Sequence, residues 1–325
     1  MSETRPFLSI CIPTYNRCQK IDRLLSSLAS NRPEAYNVEI IVSDNASTDN
    51  TAEVIDKYKD KLPLTYYRND ENKGANANYF LLTDKYANGT FCWLLGDDDY
   101  LAPDAIKSII TALEEHPEVD YCTFNTQIVF LDQIAAITEK QRAPHDYVIT
   151  SFAEAINAVC SPGNQLGTFI SASVFRTEPF RSFDKTIFRN AFDDFRSTFP
   201  HSYIVATVFS RSEAILFPDS FVFTPLETES KKNDKGWSMS YIKVLNQHLP
   251  ALYDYYIGIG IDDKIIERSK TILYYQNFYY IVTRFRRIRN QGIDFSYLYK
   301  APFCKGFFRM FFRDAKRFLK NKVQK

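Results

Sequence analysis

The sequence predicts an α/β protein built on a mostly parallel sheet with helices on both faces, followed by a helical C-terminal region. Three observations predict it. Between residues 7 and 130, short apolar runs alternate with segments of helical apolar spacing. The runs are hydrophobic almost throughout, as strands covered on both faces must be. Each of the first four ends in a polar cluster, at the strand end where open α/β sheets bind ligands.

Phe7 to Ile12 reads as the first strand, and Ile21, Leu24, Leu25 and Leu28 follow at helical spacing. Val38 to Val42 is a second strand; Ser47-Thr48-Asp49 supplies capping groups for a helix carrying Val54, Ile55 and Tyr58. The unit repeats. Leu64 to Tyr67 is a strand, Gly74 to Tyr86 a helix, Thr90 to Leu95 a strand, Pro103 to Glu115 a helix and Tyr121 to Phe130 a strand. Residues 131–150 lack a period and read as a surface loop. Ser151 to Cys160 reads as a helix, Thr168 to Phe175 as a strand, and Pro200-His201 opens a helix that runs through Val208. With Pro218, Pro225 and the polar stretch Glu227 to Gly236, residues 212–236 read as an irregular, mobile loop near the site. From Trp237 the pattern is helical only, which divides the chain into residues 1–236 and 237–325.

A chain of 325 residues, 45% hydrophobic and 24% charged, is long enough for a large core and has the make-up of an ordinary globular protein. Its net charge of +1 hides an asymmetry: residues 281–325 hold 13 Lys or Arg against two Asp, so the remainder carries a net negative charge. Phenylalanines interleave with that basic tail, a composition suited to lying on an anionic membrane surface; the alternative is a helix packed on the domain with a solvated basic face. No nucleic-acid reading motif accompanies the charge. Six cysteines without a Cys-x-x-Cys pair, an N-terminus unlike a signal peptide and no long apolar stretch lead to the expectation of a cytoplasmic protein.

Four polar clusters converge on one sheet edge: Pro13-Thr14-Tyr15-Asn16-Arg17, Ser43 to Ser47, Arg68-Asn69, and Gly96-Asp97-Asp98-Asp99. The last is the most telling, because an apolar run ends abruptly in three carboxylates that invite a cation. Hard oxygen donors suit Mg2+ or Mn2+. If the segment is extended, Asp97 and Asp99 point to one side and Asp98 to the other.

The motifs Ser9-Ile-Cys-Ile-Pro-Thr-Tyr-Asn-Arg17, Ile40-Ile-Val-Ser-Asp-Asn-Ala-Ser-Thr-Asp49, Arg68 through Asn72-Lys73-Gly74, and Trp93-Leu-Leu-Gly-Asp-Asp-Asp99 together resemble glycosyltransferase family 2, inverting enzymes of the GT-A (Rossmann-like) fold. The later Phe-Pro-His makes the chain similar to bacterial members that build O-antigen or capsule repeat units, such as abequosyltransferase-like enzymes. The resemblance implies transfer of a sugar from a nucleoside diphosphate, with Mn2+ or Mg2+, to a saccharide hydroxyl, commonly on a lipid-linked acceptor at the inner membrane face. It places Asp44 at the base, Pro13, Thr14, Tyr15 and Asn16 beside the nucleoside, Asp97 and Asp98 near ribose or sugar, and Asp99 with Asp97 at the metal. Arg68 and Lys73 add positive charge for the donor. For the base that takes the acceptor's proton the sequence offers His201, better by position, and Asp194, better by chemical precedent. Nucleotidyl transfer is the rival chemistry, but the loop after the first strand lacks the glycines of a phosphate cradle. A scaffold of the same fold without turnover is the non-enzymatic rival.

Overall fold

The computed structural model describes residues 5–134, 146–159, 167–190, 192–226, 244–264, 266 and 271. The basic aromatic tail lies outside them. Among the described residues, no helix is long and apolar enough to cross a membrane.

In chain order, β1 (Leu8–Thr14), α1 (Cys18–Ser30), β2 (Val38–Asp44), α2 (Thr51–Asp56), β3 (Leu64–Arg68) and α3 (Ala75–Leu81) open the fold. α3 runs on into a π-helical turn, Leu82–Tyr86, so the expected helix changes pitch midway. Next come β4 (Phe91–Leu94), a short β5 (Tyr100–Leu101), α4 (Ala105–Glu115) and β6 (Tyr121–Phe130). The second half supplies β7 (Val148–Ser151), α5 (Phe152–Ala158), β8 (Ser173–Arg176), α6 (Thr177–Arg181), α7 (Phe195–Thr198), α8 (Pro200–Phe209), β9 (Glu213–Leu226) and α9 (Leu249–Gly258).

The strands form one sheet in the order β3-β2-β1-β4-β8-β6-β9-β5, with β7 also paired to β9. The pairs β3-β2, β2-β1 and β1-β4 are parallel, as expected. Past β4 the sheet is mixed: β8 runs antiparallel to both β4 and β6, while β6 and β9 run parallel. Side-chain alternation separates two cores. Ile10, Ile12, Ile40, Val42 and Trp93 pack with α1, α2 and α4 on one face. Cys11, Ile41, Cys92 and Leu94 pack on the other with Tyr79, Leu82, α5, α8 and α9. Fully burying an aliphatic or Phe side chain is worth roughly 1.5–3 kcal/mol, so central strands buried on both faces anchor the fold. α9 belongs to this second core: Leu252, Tyr253 and Tyr256 are buried in it, and Tyr255 stacks on Tyr203 of α8 at 4.4 Å.

The expectation of an irregular loop across 212–236 is corrected over its first part. Residues 213–226 are the 14-residue strand β9, buried at Ala214, Ile215, Phe217, Phe221, Val222 and Phe223. The two prolines did not break it. Pro218 falls where the register against β6 jumps from Phe124↔Phe217 to Asn125↔Ser220, and Pro225 lies at the strand's end opposite Val129. A bulge and a strand end are where a residue without an N–H is tolerated. Thr168 to Phe175 is shorter as a strand than expected, since Ile170–Ala172 form a 3-10 turn before β8.

Candidate active site

A cavity of about 570 Å³ opens at the carboxyl ends of β1, β2 and β4, a size suited to a small-molecule ligand. Its walls include Pro13, Thr14, Tyr15 and Arg17 from the first loop, Asn45 from the second, and Gly96, Asp97 and Asp98 from the fourth. Asn72, Gly74, Asn76, Asn78 and Tyr79 line a further side, and Ile170, Thr198, Pro200 and His201 close it.

Local chemistry fixes these loops. After β1 the chain turns through Asn16 at φ 52°, a left-handed conformation that asparagine tolerates. Asn16 does not line the cavity: its side-chain oxygen accepts from Thr48 N at 2.7 Å, and its own N–H donates to Ser47 Oγ at 2.8 Å. Asp49 adds to the clasp, accepting from Cys18 N at 3.0 Å and from Thr51 N at 3.1 Å, and so serves the starts of both α1 and α2. Amides organise the third wall. Asn45 Oδ1 accepts from Asn69 Nδ2 and Lys73 N, its Nδ2 donates to Asn72 Oδ1 at 2.8 Å, and Asn78 ties Asn69 to Ser43. Spacing alone gave no signal for this network.

The acidic motif differs from the extended geometry expected of it. β4 ends at Leu94, and residues 96–99 form a turn closed by Asp99 N donating to Gly96 O at 3.2 Å. A turn abolishes strict alternation, so Asp97 and Asp98 share the cavity while Asp99 turns away. Asp97 Oδ2 accepts from Thr14 Oγ1 at 2.8 Å, and Oδ1 from Arg17 Nη1 at 2.8 Å. Asp98 Oδ2 accepts from the same Nη1 at 3.0 Å and from Lys20 Nζ at 3.5 Å. Burial raises the Asp97 pKa, with the Arg17 charge pulling against it.

Asp99 is buried with both oxygens engaged, by Ser171 Oγ and by Thr224 Oγ1 at 2.7 Å. Ser171 Oγ in turn accepts from Gly96 N at 2.8 Å. Burial, reinforced by the Asp98 charge, pushes the Asp99 carboxyl up to about 8. A Cβ at residue 96 would meet Asp99 Oδ2 at 2.9 Å, so the carboxylate would have to shift.

This arrangement tests the expected metal set. Asp97 and Asp98 fit a hard divalent cation that takes its other oxygens from a diphosphate and water, since such an ion commonly uses one or two carboxylates. Asp99, the other expected ligand, lies apart from this pair and does not line the cavity, and its oxygens meet two hydroxyls. Among the described residues, no three His, Cys, Asp or Glu groups are arranged to hold a metal by themselves.

The other expected residues are placed as follows. Asp44 is fully buried, its Oδ1 accepting from Ser47 N at 2.9 Å and Oδ2 from Tyr66 OH at 2.7 Å; it shapes the loop, and its neighbour Asn45 lines the cavity. Arg68 reaches Asp44 at 3.5 Å and Ser47 O at 2.7 Å, and Lys73 lies 4.0 Å from Glu71, so neither lines the cavity. Asp194 caps α7, accepting from Ser197 N at 2.8 Å and pairing with Arg196 at 3.2 Å, interactions that outweigh its burial and lower its pKa. His201 does line the cavity. Its Nε2 lies 3.0 Å from the Thr168 carbonyl, which can only accept, so Nε2 carries the proton and Nδ1 is the acceptor. Burial drives the His201 pKa down to about 4 and keeps the ring neutral.

Arg17 and Thr198 also line the cavity, although neither was among the expected site residues. Arg17 stood in the quoted motif, but its partners lie 80 and 81 residues away in sequence. Thr198 donates to Asp194 O at 2.8 Å and meets His248 Nδ1 at 2.6 Å, which makes that nitrogen the donor.

A parallel half-sheet with a carboxylate turn at the end of β4, continued by a mixed half, is the GT-A architecture. Residues 9–169 match Glycosyl transferase family 2, and this part of the chain belongs to that family. It is 40% identical over 117 residues to abequosyltransferase RfbV of Salmonella typhimurium, 35% of each chain. It is 32% identical over 108 residues to poly(ribitol-phosphate) beta-N-acetylglucosaminyltransferase TarS of Staphylococcus aureus, 33% of this chain and 19% of that one. The matched segments thus span about a third or less of those relatives. Among solved structures, TarS 1–349 with UDP-GlcNAc superposes with TM-score 0.55 at 18% identity, over 88% of this chain and 76% of that one. The mannosyltransferase PcManGT of Pyrobaculum calidifontis, with GDP-Man and Mn2+, gives 0.54 at 18% identity over 89% and 77%. At these identities the superpositions establish the fold.

Proposed function

We propose that the protein is an inverting, metal-dependent glycosyltransferase that moves a sugar from a nucleoside diphosphate to a hydroxyl of a saccharide acceptor in surface polysaccharide synthesis. One observation carries the reading: a family 2 domain folds so that Thr14, Arg17, Asp97 and Asp98 meet in one cavity at the carboxyl edge of the sheet. The named activities of the relatives, a sugar transferase and a wall-polymer transferase, support the reaction class.

In this reading Tyr15, 42% exposed at the rim, offers an aromatic face to the nucleobase, and the amides around Asn45 supply polar contacts to the nucleoside. Asp97 and Asp98 would hold Mn2+ or Mg2+, which when bound neutralises charge developing on the diphosphate as the bond to the sugar breaks. His201 sits on the opposite wall as a neutral ring with Nδ1 free of its proton, and it accepts the hydrogen of the attacking hydroxyl. A low basicity means that transfer of this proton is completed late, as the new glycosidic bond forms. The acceptor in this reading is a lipid-linked saccharide. The basic tail at 281–325 supports a cytoplasmic protein held at the inner membrane surface by charge and phenylalanine burial.

The test is a panel of UDP-, GDP- and CDP-sugars assayed for nucleotide release with Mn2+ or Mg2+. Metal-dependent release from at least one donor is expected; no release across the panel would count against the assignment.

A further inference from the structure

We infer that Arg17 is the resident counter-ion of the Asp97–Asp98 pair in the donor-free protein and passes to the diphosphate when a divalent cation takes those carboxylates, so that metal and nucleotide bind as a coupled pair. The inference rests on the metal-dependent reading above and goes beyond it, because it assigns an order of events to a residue of this chain.

Geometry points to the exchange. One guanidinium nitrogen, Nη1, bridges Asp97 Oδ1 and Asp98 Oδ2 at 2.8 and 3.0 Å, and so stands between the two groups that fit the cation. Lys20 adds a second positive charge at 3.5 Å from Asp98. Two carboxylates facing two cations make the cluster close to neutral. A free divalent ion must therefore displace Arg17 from charge-assisted bonds before it gains both carboxylates, and a free diphosphate meets an arginine already committed. Arriving together, they solve both problems: the ion replaces Arg17 on the carboxylates, and the released guanidinium finds phosphate oxygens, a pairing its planar fork suits.

The side chain is placed to move. Arg17 is 40% exposed and sits at the cap of α1, lining the cavity, whereas Asp97 is 6% exposed and fixed by Thr14. The mobile partner of the pair is therefore the arginine. By linkage, nucleotide must strengthen metal binding by the same factor that metal strengthens nucleotide binding.

The experiment is an Mn2+ titration by electron paramagnetic resonance, on the full chain and on Arg17→Gln, each alone and with saturating UDP, GDP or CDP. The protein with Arg17 should bind Mn2+ weakly alone and about ten-fold or more tightly with a nucleoside diphosphate, within the usual range of site-to-site coupling. Arg17→Gln should bind Mn2+ alone about ten-fold more tightly than the unaltered protein and lose most of the nucleotide enhancement. Arg17→Lys, which keeps the charge but not the fork, should fall between them and guards against a folding defect in the glutamine variant. Equal Mn2+ affinity of the unaltered protein and Arg17→Gln in the absence of nucleotide overturns the counter-ion role and leaves metal dependence standing. Absence of Mn2+ binding in all proteins, even with nucleotide, overturns the metal reading and this inference with it.

Discussion

From β3 to β4 the sheet is parallel, and every strand delivers a polar loop to the same edge; beyond β4 the sheet is mixed, with β8 antiparallel to β4 and β6 while β6 and β9 run parallel, and this half with its helices contributes single residues to the site. The first region supplies the carboxylates, the amides and Arg17. The second supplies His201 and Thr198, and it holds Asp99 through Ser171 and Thr224. A parallel array repeats one local design, so each of its strands ends in a polar loop at the same edge and groups 80 or more residues apart meet there. The mixed array has no repeat, and its contributions come from residues 70 to 130 positions away. The cavity wall is thus built under two rules, with Asp99 fastening one region to the other.

The largest test of this contrast removes the charge from the parallel side. Asp98→Ala should lower turnover about a hundred-fold or more, the usual cost of losing a group that stabilises developing charge. Sugar transfer at saturating donor is the measurement, and a rate near that of the unaltered protein would put the carboxylate turn outside the chemistry.

Acid should expose the mixed side. His201 has a folded pKa of about 4 against an ordinary value of 6.5, so the unfolded chain takes up the proton first. Stability from this residue is complete above pH 6.5 and falls as pH drops towards 4, by a sum on the order of 3 kcal/mol. Urea midpoints of the unaltered protein and His201→Gln should diverge at pH 7 and converge near pH 4.5. A constant gap over that range would show that the ring is not buried neutral.

The smallest effect concerns the fastening. Thr224→Val keeps shape but leaves Asp99 Oδ1 without its hydroxyl donor, and it should cost about 1–3 kcal/mol. Asp99→Asn, which retains an acceptor, should cost less. Denaturant unfolding of the two variants decides it, and an unchanged midpoint in Thr224→Val would show that its contact carries little.

These differences explain what could be read in the sequence. Ile10, Ile12, Ile40 and Val42 made their strands visible because strands buried on both faces leave continuous apolar runs, and the polar residues after them marked the binding edge. β9 stayed hidden because Pro218 and Pro225 read as breakers, whereas the bulge that admits Pro218 depends on pairing with β6. Asp97, Asp98 and Asp99 were visible as a cluster, but their directions depend on a turn closed between Gly96 and Asp99. Asp194 had the chemistry of a base, and its place at a helix start, accepting from Ser197 N, depends on a local turn that the sequence did not mark. Asp44 likewise ended a strand at the expected place, yet Tyr66 and Ser47 consume its oxygens.

The clasp between the loops after β1 and β2 has a consequence for altering donor choice. Asn16 holds Thr48 and Ser47, and Asp49 holds Cys18, so residues 13–18 and 44–51 are one mechanical piece made of two sequence segments. Grafting either segment alone from a homologue would sever these cross-bonds and lose rigidity before any new selectivity could register. Transplanting both together preserves the joint, and it is the smallest exchange by which this side of the cavity can be re-engineered.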